Sequence, residues 1–412
     1  MPPFAATTAW PPPRADPPVK KVLVYKTNVL AWSETFIKEQ VTSLTRWHGV
    51  LVGVNRTPNG LDLEGLDLRL LGDLKRGGWR RLGWTLARHL ELPPPGVVAR
   101  LAEEHAQLVH IHFGTEAARF WPVAKALQIP VLVTLHGFDI NTHRDWWESG
   151  KGGHWMRGYP RRLVRMAESG RVTFIAVSEA IRSQAISFGL PPERVIVRHI
   201  GIDVQKFHPA GLPVEDRKPR ILFTGRLVEK KGVAHLIRAF ARVRAEVPAA
   251  ELIIAGDGPL QSTLAQLAAD LHCPVSFLGS LPAASVKEQM DQARVLCLPS
   301  VTTASGDAEG FGMVIIEAQA CGVPVITSAR GGAQEGILDG VTGFAHTEGD
   351  EERMAALLIR LLTEDELVRQ FSLAARDFVQ ARFDILRCSR LLEATYDDIT
   401  AGRNPAAHPN EL

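Results

Sequence analysis

The feature of this sequence that most restricts its fold is a regular alternation of short apolar runs with longer helix-like stretches. In the N-terminal half, runs with the length of a buried parallel strand lie at 21–25, 50–54, 108–112, 131–135 and 172–177. Helical stretches lie between them, for example at 116–127 and 179–188. Because strands that alternate with helices build right-handed βαβ units, this half predicts a doubly wound parallel sheet.

A second alternating series follows a polar stretch with three prolines between Pro209 and Pro219. Its strand-like runs lie at 220–224, 251–255, 275–278, 295–298 and 323–327, and helical stretches follow at 351–362 and 365–399. A chain of 412 residues exceeds one ordinary core. We therefore predict an α/β protein with two Rossmann-like doubly wound domains that face each other across a cleft. The predicted divisions are a disordered Pro-rich leader (1–19), domains at 20–210 and 211–385, and a C-terminal helix with a frayed tail (386–412) that packs on the first domain.

Charge and composition exclude several classes of protein. The formal net charge is +2, and no nucleic-acid motif accompanies the basic residues, so a nucleic-acid partner is not expected. No apolar run reaches the roughly 18–20 residues that span a bilayer, and the N-terminus lacks a signal-peptide pattern. The four cysteines form no CxxC pair, which predicts buried thiols in a reducing compartment. These observations favour a cytoplasmic protein.

Two cations follow the first strand-like run of the C-terminal half, in the segment 224–232. Arg226 and Lys231 lie in a loop bounded by Gly225 and Gly232. Because loops after parallel strands line the ligand cleft, two fixed cations there would stabilise a departing diphosphate. The alternative is a solvated basic turn.

The segment 304–318 is the most specific part of the chain. Glu309 precedes the small turn Gly310-Phe311-Gly312, and a helix that carries Glu317 then begins. Glycines allow backbone amides to approach a ligand, and a helix N-terminus favours phosphate. We expect both carboxylates to line one pocket, with Glu317 on ribose hydroxyls and Glu309 on sugar hydroxyls. An N-terminal acid followed by an ordinary helical Glu is the alternative.

Taken as an ordered set, the C-terminal motifs resemble those of retaining glycosyltransferases of family 4. The motifs are Gly225-Arg226, Lys231-Gly232, Gly256-Asp257-Gly258, Glu309 with Glu317, and the glycine-rich segment from Gly322 to Phe344. The resemblance covers residues 20–390. It implies the GT-B fold, with an acceptor-binding N-terminal domain and a C-terminal domain that holds a nucleotide sugar. It also implies metal-independent, retaining transfer from a UDP- or GDP-sugar to a saccharide or lipid-linked acceptor, with no other cofactor.

The resemblance also assigns roles to individual residues. The implied donor site consists of Arg226, Lys231, Leu281, Glu309, Gly310, Phe311, Gly312, Met313 and Glu317. Arg226 and Lys231 would clamp the diphosphate, and Leu281 would offer its backbone to the base. His136, Glu309, Arg226 and Lys231 would form the catalytic set.

His136 lies in the segment 133–140, directly after a strand-like run. Its Thr-x-His-Gly-x-Asp context is similar to that of the family's active-site histidine, so it would contact the sugar or stabilise an oxocarbenium-like state. A structural histidine is the alternative. Asp139 would face the acceptor or orient the loop. We expect His110 and His112, on one strand, to point to opposite faces, which disfavours a shared metal site.

The segment 32–36 follows the first strand-like run and has no glycine pair, unlike many family members. Its Ser-Glu-Thr-Phe sequence is similar to the branch that builds bacterial exopolysaccharides and other surface polysaccharides. This departure suggests that Glu34 or Thr35 faces the acceptor.

The stretch 75–88 interleaves basic residues with tryptophans. It predicts either a peripheral contact with an anionic membrane, at the inner face of the cell membrane, or a solvated basic helix with tryptophans in the core. For the whole chain, the alternatives are a nucleotide-sugar epimerase or glycosyl phosphorylase on the same fold, or an inactive sugar-nucleotide-binding partner subunit. The base, the sugar and the acceptor stay open at this point.

Overall fold

The computed structural model of the chain describes residues 19–58, 60–75, 78–328 and 330–405, excepting the side chains of residues 75, 78–81, 88 and 89. The predicted leader up to residue 18 and the tail from residue 406 lie outside these ranges. In the basic stretch 75–88, residues 76 and 77 also lie outside these ranges. The side chains of its other basic residues, Lys75, Arg80, Arg81 and Arg88, are not described either.

The N-terminal half forms a parallel sheet of seven strands within the described residues, in the order β5-β3-β1-β6-β7-β8-β9. The strands of this half are β1 (Lys20–Tyr25), β2 (Asn28–Val29), β3 (Trp47–Gly53), β4 (Asn55–Arg56), β5 (Asp67–Leu70), β6 (Leu108–His112), β7 (Val131–Leu135), β8 (Val172–Ala176) and β9 (Val195–Val197). The short strands β2 and β4 pair with each other. The helices are α1 (Thr35–Thr42), α2 (Gly78–His89), α3 (Val97–Ala102), α4 (Gly114–Ala126), α5 (Phe138–Asn141), α6 (Arg144–Glu148), α7 (Tyr159–Glu168) and α8 (Glu179–Ser187).

The C-terminal half forms a second parallel sheet, in the order β12-β11-β10-β13-β14-β15. Its strands are β10 (Arg220–Thr224), β11 (Glu251–Ala255), β12 (Val275–Gly279), β13 (Val295–Leu298), β14 (Val325–Ser328) and β15 (Gly343–His346). Its helices are α9 (Val233–Glu246), α10 (Gln261–Asp270), α11 (Ala283–Gln292), α12 (Met313–Ala320), α13 (Glu351–Thr363) and α14 (Asp365–Phe383), and α15 (Ile385–Thr400) follows them. In both sheets the strand order reverses beside the first strand, which confirms two doubly wound domains.

Apolar runs of the sequence identify the central strands well and the edge strands poorly. Strands β6, β7, β10, β11 and β13 have the predicted bounds, and their apolar side chains are buried. Strands β5, β9 and β15 were not predicted. All three lie at sheet edges, and β5 is only half-buried along its length. An edge strand needs fewer apolar residues, so its sequence carries a weaker signal.

Two segments of the chain run side by side between the domains. The amide of Ile202 donates to the carbonyl of Phe383 at 2.8 Å, and the amide of Ile385 donates to the carbonyl of Ile202 at 2.8 Å. Asp384 has extended backbone there and caps the next helix through the amide of Leu386 at 2.9 Å. The continuous helix predicted over 365–399 is therefore wrong, because Asp384 interrupts it.

After this crossing, α15 lies on the first domain. The carboxylate of Glu393 is buried and accepts from the backbone amides of Thr45, Arg46 and Trp47 at 2.7, 2.6 and 3.1 Å. Asp397 forms ion pairs with Lys20 and Arg46, both at 2.7 Å. Because a buried carboxylate is stable only when donors surround it, these contacts fix α15 beside the amino-terminal ends of β1 and β3. Within the described ranges, none of the helices combines the length and the apolar composition that crossing a bilayer requires.

Candidate active site

The two domains meet at loops that follow the carboxyl ends of their strands. The loop after β7 contacts the loop after β13: the amide of His143 donates to the carbonyl of Ser305 at 2.8 Å, and Nδ2 of Asn141 donates to the carbonyl of Ala308 at 3.2 Å. Ser178, after β8, donates through Oγ to the carbonyl of Gly310 at 2.9 Å. These contacts bring His136 and Glu309 to opposite walls of one cleft, where ligands bind in α/β folds.

Glycines make this approach of the domains sterically feasible. A Cβ atom at Gly310 would lie 1.8 Å from the carbonyl oxygen of His136. A Cβ atom at Gly332 would lie 1.8 Å from the carbonyl oxygen of Gly310. Since such distances are far inside van der Waals contact, both positions require glycine in this arrangement of the domains.

The centre of the C-terminal wall is an ion pair. Nζ of Lys231 lies 2.5 Å from Oε2 of Glu309, and Oγ of Ser300 donates to the same oxygen at 3.2 Å. The neighbouring pair, Lys230 and Asp307, is joined at 3.0 Å. Burial alone would raise the pKa of the Glu309 carboxyl, but the charges of Lys231 and Lys230 outweigh it and hold that pKa below its usual range. Glu309 is therefore a carboxylate at neutral pH and can accept from sugar hydroxyls.

Arg226 lies in the same loop but has an open environment. It is exposed, and within the described part of the chain its guanidinium has no hydrogen-bond or ion-pair partner. The loop itself is held by the turn after β11, because the amide of Leu227 donates to the carbonyl of Asp257 at 2.9 Å. A Cβ atom at Gly256 would lie 1.9 Å from the carbonyl oxygen of Gly225. The glycine of the predicted Gly256-Asp257-Gly258 motif therefore allows this turn to pack closely against the loop that carries Arg226.

Glu317 lies on the helix that begins directly after Gly312. It is half-buried on α12, and its charged neighbours are Glu39 and Lys206 from the N-terminal half of the chain. Burial and the charge of Glu39 raise the pKa of Glu317 to about 7, although Lys206 opposes them. Glu309 contacts Lys231 and Ser300. That both carboxylates line one pocket stays a prediction.

The remaining donor-site residues lie where the chain turns at the cleft. Gly312 has a φ of 81°, and α12 begins at the next residue, Met313. The amide of Ile315 donates to the carbonyl of Gly312 at 2.8 Å. A helix cannot pair its first amides internally, so those of Met313 and Val314 can bind a ligand. Phe311 is buried, with its ring centre 5.4 Å from that of His199. Leu281 is half-buried and comes two residues after β12.

On the N-terminal wall, His136 is part of a buried histidine cluster. Its Nε2 lies 3.1 Å from Nδ1 of His112, and its ring packs against Phe113 and Phe36. Burial, with the charges of His110 and Lys26, lowers the pKa of His136 to about 3. The ring is therefore neutral at physiological pH, and it can form hydrogen bonds but cannot act as a standing cation.

Asp139 positions this histidine and does not face an acceptor. It is completely buried, and its carboxylate accepts from the amides of Gly114, His136 and Gly137 at 2.7, 3.1 and 2.9 Å. Burial raises the pKa of Asp139 despite these hydrogen bonds. Of the two roles expected for Asp139, the structure supports orientation of the loop.

The expectation that His110 and His112 point to opposite faces is wrong. Their ring centres are 4.5 Å apart, because residues two apart on a strand share a face. His110 contacts Tyr396 Oη and Thr134 Oγ1, both at 2.7 Å. His112 thus lies between His110 and His136, next to the candidate site.

The predicted acceptor-side residues Glu34 and Thr35 lie at the start of α1. Thr35 is its first residue, and Glu34 accepts from the amide of Ala31 at 2.9 Å. Glu34 also pairs with Lys26 at 3.3 Å, and Lys26 pairs with Glu116 at 3.3 Å. Sequence reasoning missed Lys26 and Glu116. Lys26 directly follows the first strand, a position that could have revealed it.

Glu335 is a second residue that sequence reasoning did not place in a role. Its carboxylate accepts from the amides of Glu179 and Ala180, the first residues of α8, at 2.8 and 2.9 Å. This caps an N-domain helix with a C-domain side chain. Within the described residues there is no cluster of three or more His, Cys, Asp or Glu side chains that could hold a metal ion.

Comparison with known proteins agrees with this geometry. The family profile "Glycosyltransferase Family 4" matches residues 33–206, and "Glycosyl transferases group 1" matches residues 204–378. The amylovoran biosynthesis glycosyltransferase AmsK of Erwinia amylovora is 31% identical over 303 residues, covering 72% of each chain. A GDP-mannose-dependent monoacylated alpha-(1-6)-phosphatidylinositol monomannoside mannosyltransferase of Corynebacterium glutamicum is 31% identical, covering 70% of this chain and 76% of the relative.

Solved structures share the fold. Anabaena HepE in complex with UDP and glucose superimposes with a TM-score of 0.74 at 20% identity, covering 92% of this chain and all of HepE. Sucrose-phosphate synthase from Thermosynechococcus elongatus gives a TM-score of 0.75 at 20% identity and covers 93% of this chain. Both have the GT-B arrangement of two facing Rossmann-like domains, which this chain shares. The chain therefore belongs to the family-4 glycosyltransferases.

Proposed function

We propose that this glycosyltransferase transfers a hexosyl group from a UDP- or GDP-sugar, with retention of anomeric configuration and without a metal ion, to a saccharide or lipid-linked acceptor. The observation that carries the proposal is the Lys231–Glu309 pair at 2.5 Å, which faces the His136 loop across the cleft. UDP in the HepE complex and GDP-mannose in the name of the Corynebacterium relative support these two donor classes.

The charges of the C-terminal wall suit the bond that must break. When the bond between the sugar and the diphosphate breaks, negative charge develops on the phosphate oxygens. Lys231 and the unpartnered guanidinium of Arg226 supply fixed positive charge there, in the place a metal ion would otherwise take. Glu309 holds Lys231 in place and accepts from hydroxyls of the donor sugar. The neutral ring of His136 contacts the sugar from the opposite wall.

The test is a thermal-shift screen with UDP, GDP, ADP, TDP and their sugars, with EDTA present throughout. We expect one nucleotide family to stabilise the protein, and Lys231→Ala to abolish most of that shift. Lys230→Ala is the matched control, since Lys230 is the neighbouring residue and pairs with Asp307 instead. The anomeric proton signal of the product then reports the stereochemistry. A requirement for added metal, or an inverted product, would contradict the proposal.

We also propose a cytoplasmic location with peripheral attachment to the inner face of the cell membrane. The support is helix α2 and the residue after it: Leu82 and Leu86 on the helix and Leu90 directly after it recur at intervals of four residues and are each more than half exposed. An exposed apolar stripe on a helix rich in basic residues suits an anionic bilayer surface. Co-sedimentation with vesicles containing anionic lipid, weakening as salt increases, is the expected result. No binding at low salt would contradict it.

A further inference from the structure

A cavity of about 910 Å³ lies in the N-terminal domain, separate from the donor-side residues. Its floor includes Tyr25 at the end of β1, Thr27, Val54 directly after β3, and Leu71 directly after β5. These residues mark the carboxyl edge of three neighbouring strands. His136 follows β7 at the same edge, so the cavity opens on the side of the sheet where ligands bind. Its volume is typical of a site for a small organic ligand.

The walls of the cavity combine aromatic rings with cations. Side chains of α2, α4 and the segment before α7 supply three indoles, from Trp84, Trp121 and Trp155. The described lining residues also include four cations and one carboxylate: Arg119, Lys125, Arg162, Arg165 and Glu91. The lining therefore carries a net positive charge around an apolar interior. A plain hydrocarbon would leave the cations of this lining without a partner. A free sugar would leave its aromatic and apolar surface without one.

Two buried donors on this lining lack partners. Nε1 of Trp84 and Nε of Arg162 are inaccessible to solvent and make no hydrogen bond with the described residues. The other guanidinium nitrogens of Arg162 bond to Trp155 and Glu91, and the guanidinium lies 3.9 Å from the centre of the Trp155 ring. Because neither atom has accessible surface on the cavity, an anionic ligand would instead meet the exposed guanidinium groups of Arg119 and Arg165.

We propose that this cavity binds the hydrocarbon chain of a lipid-linked acceptor, with the phosphate of that lipid at the arginine rim. The proposal rests on the function proposed above, because it specifies the acceptor of the same transferase. The exposed leucines Leu82 and Leu86 on α2, with Leu90 directly after the helix, extend the apolar surface from the cavity wall to the solvent side. A chain can thus pass from a bilayer into the cavity while the phosphate stays beside Arg162 and Arg165.

The experiment measures binding of farnesyl phosphate to the full chain below its micellar concentration, by quenching of tryptophan fluorescence and by calorimetry. Ala118→Trp fills the cavity, because Ala118 is buried and lines it. Ala126→Trp places the same side chain on the exposed end of the same helix and is the matched control. We expect at least a tenfold loss of affinity in Ala118→Trp and less than a twofold change in Ala126→Trp.

A second variant tests the proposal even if Ala118→Trp does not fold. Arg119 and Arg165 are exposed, so the double substitution Arg119→Gln/Arg165→Gln leaves the packing intact. We expect it to remove most of the preference for farnesyl phosphate over farnesol. Dihexanoyl phosphatidylinositol, used as a competitor, identifies the source of the lipid: strong competition indicates a glycerolipid, and weak competition indicates an isoprenoid phosphate.

Binding of UDP to the same preparations separates this inference from the proposed function. If UDP binds and farnesyl phosphate and the phosphatidylinositol both fail to bind, the donor site stands and the cavity proposal is overturned. Equal affinity of wild type and Ala118→Trp for the lipid phosphate, with UDP binding intact, would overturn it as well. Loss of UDP binding with lipid binding retained would count against the donor site alone.

Discussion

The two walls of the cleft differ in the charge state of their buried polar groups. The C-terminal wall keeps its groups charged by pairing them, as Lys231 with Glu309 and Lys230 with Asp307. The N-terminal wall keeps its histidines neutral, because burial depresses the pKa of His110 and His136 to about 3. In the proposed reaction, charge is thus concentrated where the diphosphate would leave, and a neutral hydrogen-bonding surface would face the sugar. The difference predicts that substitutions on the two walls affect turnover unequally.

The largest effect is expected on the charged wall. Glu309→Ala removes the carboxylate that holds Lys231, so turnover should fall by about 10²–10³-fold while the affinity for nucleotide changes only a few-fold. Steady-state kinetics with isothermal titration of the nucleotide would measure both. Asp307→Asn is the control, because it breaks the neighbouring ion pair on the same loop. Comparable losses in the two variants would mean that Glu309 has no special role.

The next effect concerns the contact between the walls. Gly310→Ala places a methyl group 1.8 Å from the carbonyl oxygen of His136, so the two loops cannot approach as they do here. We expect turnover to fall by about 100-fold, because a displacement of one ångström at a reacting centre has that effect. Small-angle scattering should show a larger radius of gyration, with circular dichroism unchanged. Wild-type turnover in this variant would show that the closed contact is dispensable.

A smaller effect is expected on the neutral wall. His112→Ala removes the ring that lies 3.1 Å from Nε2 of His136, which should lower turnover by about 10-fold through loss of orientation, with little change in KM. Because the pKa of His136 is about 3, the wild-type rate should show no histidine titration between pH 5.5 and 8. An ionisation near pH 6.5 that belongs to His136 would contradict the neutral assignment.

The smallest effect concerns stability. The pKa of Glu317 in the folded protein is about 7, above its unfolded value, so the folded state binds more protons between those two values. Stability should therefore fall as pH rises through this window, and Glu317→Gln should remove that decline, raising the free energy of unfolding at pH 8 by roughly 1 kcal/mol. Thermal melting at pH 5.5 and 8 without nucleotide tests it, with the exposed Glu352→Gln as control. Equal pH dependence in wild type and Glu317→Gln would contradict the raised pKa.

Local sequence is enough to predict the two alternating series, the central strands and the loops that carry Arg226, Lys231, Glu309 and His136. Those features depend on neighbours within one or two turns of the chain, such as an apolar run or a glycine after a strand. The edge strands were less visible, because a strand with one covered side needs less apolar sequence.

Which of these groups contact one another depends on how the two domains fold and pack. Lys231 and Glu309 are 78 residues apart, and the buried contact between Tyr396 and His110 spans 286 residues. Local sequence carries no information about such partners, since they are set by sheet order and by the crossing at Ile202 and Asp384. For the same reason the opposite pKa shifts of Glu309 and Glu317 could not be predicted from their spacing. A pKa depends on burial and on charges that the fold brings together from distant parts of the chain.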